Sequence, residues 1–463
     1  MAGDRVRKGL LAVALCVVAL CVAGWATACE ARPLRVVTSF PPSMIEVYRK
    51  GFQSAHPDIE VEFVQRKTTA AVAQLAGGDR LDADLFWASA PDAFELLKLE
   101  GRLSPLAPRT TGAPATVAGY PVNDPDGHYL GFALSAYGLA VNEAYLARHR
   151  LPVPRGWRDL TAPVYAGHVG VSSPSRSGTT HLVVEALLQS EGWEPGWRTW
   201  RQIGGNLATV TARSFGVSAG VARGRFGIGV TIDFLAQPTG LDADPVRFTA
   251  PDPEIFAPAS IALLREARNP EAADAFVDFL LSVPGQLLLL DPTVGRQPIR
   301  PEFYAEGRIE GPNPFQTAES GDGWRFDAGR SAARYELINL MFDELVTLRL
   351  AETAAIWRTV NEVEASLTLA PDETAAKAAT QARSLLGAVP FGEEEASRIV
   401  EATKLARVPR GLQPPEAQAR LMARLRDWIG DNLAAARQAA ETARARLVSL
   451  GRLPEPATGS ASP

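Results

Sequence analysis

The sequence predicts a two-lobed α/β protein with an additional α-helical domain at its C-terminal end. Three observations carry this. Apolar strand-like runs alternate with amphipathic helical runs from residue 34 onward, the order that builds a sheet with helices packed on it. The apolar runs at 131–142 and 248–264 suit strands that cross between two such units. After about residue 320 the composition shifts to Ala, Glu, Arg and Leu, with few Gly and almost no strand alternation. The chain has 463 residues, 46% of them hydrophobic and 21% charged. That is enough for two or three folded units at roughly 100–200 residues each.

Taken in order, LRVVTSF (34–40) reads as the first strand. PPSMIEVYRKGFQSAHP follows as a helix entered at Pro41 and Pro42 and ended near Pro57, with Met44, Ile45, Tyr48 and Phe52 as its buried stripe. IEVEFVQR (59–66) is the next strand, Thr68 and Thr69 start an Ala-rich helix, and DADLFWAS (82–89) is the third strand. GFALSAYGLAVN (131–142) is a strand pair or one strand crossing into a second lobe. That lobe is expected to hold GHVGVSSP (167–174), a helix after Ser177, NLATVTA (206–212) and GRFGIGVTID (224–233). FTAPDPEIFAPASIALL (248–264) returns the chain to the first lobe, and 276–303 reads as a helix, a Pro break, a short helix and an extended stretch. Residues 334–367 keep a continuous 3.6-residue pattern, and further helices are expected over 371–387, 393–406 and 413–449. The expected division is 1–31 leader, 32–133 and 238–320 first lobe, 134–237 second lobe, 321–455 helical extension and 456–463 flexible tail.

The leader is read from order and composition. Arg5, Arg7 and Lys8 precede an apolar run from Gly9 to Ala28, the layout of a secretory signal. All three cysteines, Cys16, Cys21 and Cys29, fall within it, so the rest of the chain has no disulfide framework or Cys-rich metal site. Ala26-Thr27-Ala28 is an A-x-A ending, and cutting after Ala31 is the other choice; lipidation at Cys29 and retention as an anchor are further alternatives. The expected location is the periplasm. A net charge of -5 and the lack of a long basic tract argue against nucleic acid as a partner.

The sharpest local signal is SSPSRSGTTHLVVEALL (172–188), where a strand ends, turns at Pro174 and runs through Ser175, Arg176, Ser177, Gly178, Thr179 and Thr180 into an apolar helix. Hydroxyls and free N–H groups at such a helix start suit an anion, and an arginine adds a forked contact. An ordinary capped Ser/Gly turn has the same sequence. Thr38 and Ser39 end the first strand, Arg66, Lys67 and Thr68 end the second, and Ser89 ends the third. In an α/β lobe these junctions share the C-terminal edge, although Arg66 and Lys67 equally fit plain surface charge. Arg213 and Ser214 are taken to end a second-lobe strand and to close from the other side. Asp233, after GIGVTI, is a candidate reader of a ligand hydroxyl or amine, or simply a turn residue. Tyr137 reaches the cleft or the core, and Trp87 stacks on ligand or packs in the core or hinge. The five histidines lack metal-ligand spacing, with His181 either near the anion seat or on the helix surface. No H-E-x-x-H or P-loop motif is present, and Ser177 has no identifiable base, so catalysis and metal binding gain no support.

As a set, LRVVTSF, DADLFWASAPDAFELL, SAYGLAVN, SPSRSGTTHLVVEALL and GRFGIGVTIDF resemble the extracellular solute-binding proteins of bacterial ABC-type uptake systems. The resemblance covers 34–310 and lies with the group that binds ferric iron, sugar phosphates, aminoethylphosphonate and phosphoglycerate. It is strongest toward the phosphoglycerate-responsive regulatory branch, whose C-terminal extension NLMFDELVTLRLAETAAIW resembles. It implies a Venus-flytrap, type II periplasmic binding fold that closes on ligand without a cofactor. It also implies ligand-facing roles for the Ser39 region, Ser89 and Ser177–Thr180, and an inner-membrane ABC permease or sensor kinase as partner. The iron binders' adjacent tyrosine pair is missing: Ile232-Asp233-Phe234 stands at that strand end. The expected cargo is therefore a small phosphorylated or otherwise anionic metabolite, with ferric iron as the alternative and a phosphate-ester hydrolase or an adhesin-like protein as rivals of other classes.

Overall fold

The computed structural model describes residues 32–455, apart from 78–80, 90, 118, 237–245, 253, 306, 308, 310–312, 316–324, 404 and 406–412. The expected leader (1–31) with its cysteines and the expected tail (456–463) lie outside the described residues.

The first lobe is built on parallel strands β1 (Leu34–Thr38), β2 (Val61–Gln65) and β3 (Leu85–Ala88). Between and after them run α1 (Pro42–Ala55), α2 (Thr68–Ala76) and α3 (Pro91–Leu99). Period-two alternation sends Leu34, Val36, Leu85 and Trp87 to one face of the sheet and Val37, Phe86 and Ala88 to the other. The chain then crosses through a single strand, β4 (Leu130–Asn142), buried along its whole length. This settles the open choice at 131–142 in favour of one strand.

Beyond the crossing lie β5 (Val169–Ser172), α4 (Gly178–Glu191), α5 (Trp193–Asn206), β6 (Leu207–Thr211), α6 (Ser214–Ala222) and β7 (Ile228–Ile232). Strands β8 (Val246–Thr249) and β9 (Ile255–Leu264) lead back, and α7 (Pro270–Leu281) packs on the first lobe. The sheet runs β2-β1-β3-β9-β4-β7-β5-β6, with β8 also on β4. The antiparallel pair β9 and β4 sits at its centre, paired from Ile255↔Tyr137 to Ile261↔Leu130 with a one-residue register shift between Ala259 and Ser260. These are the two crossing strands. One expectation is corrected here: β6 stops at Thr211, so Arg213 and Ser214 do not end a strand but open helix α6.

The C-terminal helices are α8 (Ala328–Phe342), α9 (Leu350–Leu369), α10 (Glu373–Gly387), α11 (Glu393–Thr403) and α12 (Glu416–Ser449). The continuous helix expected over 334–367 is interrupted by a π-helical turn at Asp343–Thr347. There the Asp343 carboxylate accepts from Ser173 Oγ (2.7 Å) and Thr347 Oγ1 (2.9 Å). The extension is not laid on from outside. Leu337, Ile338, Phe342, Trp357 and Leu425 share one core with Leu182, Trp193, Trp197 and Trp200 of the second lobe. Close approach is allowed by Gly205 in α5, where a Cβ would sit 2.2 Å from Trp357 Cδ1. The buried Arg201 guanidinium donates to Ala388 O and to Asn432 Oδ1 (3.2 Å), tying α5 to the loop after α10 and to α12.

Candidate ligand-binding cleft

A cavity of 470 Å³ lies between the lobes, and the N-terminal ends of α1, α2, α4 and α6 all open onto it. Each such end carries unpaired N–H groups and a partial positive charge. Alpha-helix α4 is capped as its sequence suggests, with Ser177 Oγ accepting from Thr180 N (3.2 Å). The same oxygen shares a hydrogen with Ser214 Oγ at 2.5 Å, fastening the start of α4 to the start of α6. On the facing wall, Phe40 N donates to Thr38 Oγ1 (3.1 Å) and Gln65 Nε2 donates to Phe40 O (2.8 Å), which shapes the turn that presents Ser39.

Of the residues singled out from sequence, Ser39, Lys67, Thr68, Ser89, Arg176, Ser177, Gly178, Thr179 and Arg213 line this one cavity. They come from both lobes. The others stand behind it or away from it. Thr38 and Thr180 are fully buried, and Thr180 Oγ1 bonds to Ser172 Oγ, so both hydroxyls hold turns. Tyr137 is buried and donates through its hydroxyl to Ser89 O (3.3 Å), bracing the wall from the crossing strand. Ser175 bonds to Ser173 Oγ at 2.7 Å, and Arg66 is exposed outside the cavity lining.

Asp233 departs from its expected part. Its carboxylate accepts from Ala136 N (2.9 Å), Phe234 N (2.7 Å) and Gln297 Nε2 (3.0 Å), and it is absent from the cavity lining. Burial raises its pKa to about 6, against the pull of these donors and of Arg296. Its oxygens are taken up in joining β7 to β4. His181 is neither near the anion seat nor on the helix surface: it is fully buried against α8, and burial lowers its pKa to about 4. Trp87 takes the core option, edge-on to Phe40 (4.6 Å) and Tyr48 (5.2 Å).

Sequence reasoning missed Arg296. It lies in the stretch GRQPIR, where nothing marks it out. Phe40 and Phe234 clamp its guanidinium, with ring centres 4.6 and 3.7 Å away, a stacked geometry that orients the fork. It is 4% exposed, lines the cavity, and donates to Ser135 Oγ at 3.5 Å. Burial lowers its pKa to about 10, so it stays charged at neutral pH. With Lys67, Arg176 and Arg213 it makes the fourth cation of a lining that includes no Asp, Glu, His or Tyr among the described residues. Elsewhere, Asp124, Asp126 and His128 cluster within 4.8 Å, but Lys98 Nζ already sits 2.5 and 2.7 Å from the two carboxylates.

Comparison with known proteins agrees with this architecture. The profile of the bacterial extracellular solute-binding proteins matches residues 83–291. The phosphoglycerate transport regulatory protein PgtC of Salmonella typhimurium is 31% identical over 341 residues, 73% of this chain and 83% of that protein. Among solved structures, the periplasmic binding protein AfuA from Actinobacillus pleuropneumoniae, with exogenous fructose-6-phosphate bound, superposes with a TM-score of 0.56 at 19% identity. The match covers 67% of this chain and 98% of AfuA. The ferric binding protein from Campylobacter jejuni gives a TM-score of 0.55 at 17% identity over the same shares. Shape alone would establish only the fold, but the sequence relative spans most of both chains: this protein belongs to the bacterial extracellular solute-binding proteins, a family of binding proteins with the type II periplasmic fold.

Proposed function

We propose that the protein captures a small phosphorylated metabolite that carries a second anionic group, a phosphoglycerate-like solute, and presents it to an inner-membrane ABC permease or sensor kinase from the periplasm. The observation that carries this is Arg296, a buried cation facing a cavity ringed by three more cations and without a carboxylate among its described lining residues. Burial costs the guanidinium more solvation than the nearby Asp233 carboxylate offsets, that carboxylate being already held by Ala136 N, Phe234 N and Gln297 Nε2. An anionic solute in the cavity adds charge-assisted hydrogen bonds to the guanidinium. Helix N-termini and the hydroxyls of Ser39, Ser89 and Thr179 supply further donors for phosphate oxygens. The lining speaks against ferric iron, which takes oxygen donors such as tyrosinate and carboxylate. PgtC is a phosphoglycerate transport regulatory protein by name, and AfuA is described with a sugar phosphate bound; both support an organophosphate here.

Capture needs no covalent step. The solute stabilises the closed arrangement only by its greater affinity for it. Calorimetric titration with 3-phosphoglycerate, 2-phosphoglycerate, phosphoenolpyruvate, hexose phosphates and 2-aminoethylphosphonate is the test, with micromolar binding expected for at least one. Arg296→Gln is expected to weaken that binding about 10- to 100-fold, the worth of a buried charge-assisted hydrogen bond. Binding of only ferric iron or a neutral sugar overturns the reading.

A further inference from the structure

Helix α8 and the two residues ahead of it are bonded to the two lobes in turn. Phe326 N donates to Gly119 O of the first lobe (3.0 Å), and its ring stacks on Tyr120 at 4.7 Å. The next residue is held by the other lobe: Asp327 N donates to Gln189 Oε1 (2.7 Å), and Gln189 Nε2 donates to Asp327 O (3.0 Å). Ser331 Oγ returns to the first lobe, donating to Asp92 Oδ1 of α3 at 2.6 Å, with Ser331 0% and Asp92 2% exposed. One turn further, Arg334 reaches the buried Glu185 of the second lobe through Nε (3.0 Å) and Nη2 (2.7 Å). Leu337, Ile338, Met341 and Phe342 then enter the second-lobe core. Among the helices of both lobes, α3 takes the largest share of the packing of α8. A cavity of 300 Å³ marks where the three bodies meet, walled by Asp92 and Ala93, by Ser175 and Gly178, and by Tyr335 and Asn339. The helix therefore spans the lobes beside the cleft, where they face one another.

We propose that α8 is a fixed brace between the lobes: it holds them at one angle with or without solute, and solute passes through the mouth of the cleft without the lobes swinging apart. The crossing strands β4 and β9 are the axis about which the lobes would turn. A rotation that draws Gly119 and Asp92 away from Gln189 and Glu185 has to break one side of α8. The first-lobe side is a buried side-chain hydrogen bond, a backbone hydrogen bond and a ring stack; the second-lobe side is a buried ion pair and a shared core. Parting either leaves buried polar groups without partners, which is costly. The mouth stays open in this arrangement, since Lys67, Arg176, Arg213 and Phe215 line the cavity and are exposed, Phe215 by 57%. The closed arrangement that solute favours is thus already held before solute arrives, and no affinity is lost to a population of parted molecules. The brace goes beyond the capture reading; only its consequence for affinity rests on that reading.

The deciding measurement uses no solute, so a failure of the ligand assignment leaves its readout intact. In full-length protein with Cys16→Ser, Cys21→Ser and Cys29→Ser, spin labels are placed at the exposed Glu60→Cys and Arg223→Cys, one on each lobe. Double electron–electron resonance then gives the distance between them. The solute-free protein is expected to show one narrow distance, and 3-phosphoglycerate, at a concentration where calorimetry shows it bound, is expected to leave that distance in place. A second, longer distance without solute overturns the brace, as does a shortening when 3-phosphoglycerate binds. Absence of binding overturns the ligand assignment and leaves the solute-free result standing. Phe326→Ala removes the stack on Tyr120 and is expected to raise the ratio of long to short distances at least about tenfold, as the loss of a buried aromatic does. Ser331→Leu drives bulk into the α3 seam and is expected to shift the ratio the same way. An unchanged distance in whichever of the two folds by circular dichroism also overturns the brace, and the parent measurement decides by itself if neither folds.

Discussion

Neighbouring hydroxyls do different work at the start of α4. Thr179 lines the cleft, whereas Thr180 is fully buried with its Oγ1 shared between Ser172 and Ser177. Thr179→Leu removes a donor and fills the seat, and is expected to cost at least about tenfold in calorimetric affinity for the organophosphate with little change in melting temperature. Thr180→Val is expected to do the reverse, losing about 1–2 kcal/mol of stability by thermal denaturation because its hydrogen-bond partners are left unpaired. Much of this site was legible from residue type at strand–helix junctions, since Ser39, Lys67, Ser89 and the Ser177–Thr179 turn follow from chain order in an α/β lobe. Arg296 was not legible. Its clamp consists of Phe40 and Phe234, distant in sequence, and only the folded chain puts them on either side of one guanidinium. Asp233 misled for the same reason, because the donors that occupy it arrive from Ala136 and Gln297.

Asp92 and His181 give a pH signature at this scale. Burial raises the Asp92 pKa to about 7 and lowers that of His181 to about 4, so at neutral pH their 3.9 Å approach involves an uncharged imidazole. Relative to the unfolded chain, the native protein holds an extra proton at Asp92 from pH 4 to 7 and lacks one at His181 from pH 4 to 6.5. Asp92 therefore lowers stability as pH rises through its window, His181 raises it, and the two slopes oppose each other. Asp92→Asn removes the first slope alone. The unfolding free energy of the variant minus that of the parent, from chemical denaturation, is expected to grow from pH 4 to pH 8, approaching about 4 kcal/mol at ~1.4 kcal/mol per pKa unit. A difference independent of pH would show that Asp92 does not titrate with folding.

At the scale of elements, period-two and period-3.6 patterns carried the three first-lobe strands, α1 and the extension helices, because one face of each is buried. Helix α5 is the instructive omission. Trp193, Trp197 and Trp200 recur at helical spacing and are all buried, yet no element is expected there from sequence, where Pro195, Gly196, Gly204 and Gly205 break the run of helix formers. The glycines reflect packing. Gly205→Ala would place a methyl 2.2 Å from Trp357 and is expected to cost about 1–3 kcal/mol in chemical denaturation. Gly430 in α12 has nothing within 4 Å of the added atom, and Gly430→Ala is expected to gain about 0.5–1 kcal/mol instead. The π-helical turn at Asp343–Thr347 left no sequence signal, having neither Pro nor Gly, and it coincides with the long-range bond from Ser173 to Asp343.

For the whole molecule, composition set the extension apart as a helical domain and did not reveal what its inner side packs against. That side completes the second lobe. Trp193, Trp197, Trp200 and Ile203 are each at or below 1% exposure in a core continued by Leu337, Met341, Phe342, Trp357 and Leu433. Burying each large apolar side chain is worth about 1.5–3 kcal/mol, and a domain's net stability is only about 5–15 kcal/mol. Losing half of such a core outweighs what the rest of the lobe retains. A chain ended at residue 320 is therefore expected to express as aggregate, or as a species that binds a hydrophobic dye and melts without a cooperative transition, and to lose solute binding with it. An independently folded appendage would give the opposite result, a truncated protein with a sharp melt and unchanged affinity. The comparison decides whether the helices are a passenger on the binding protein or, as the shared core argues, part of the lobe that closes on the solute.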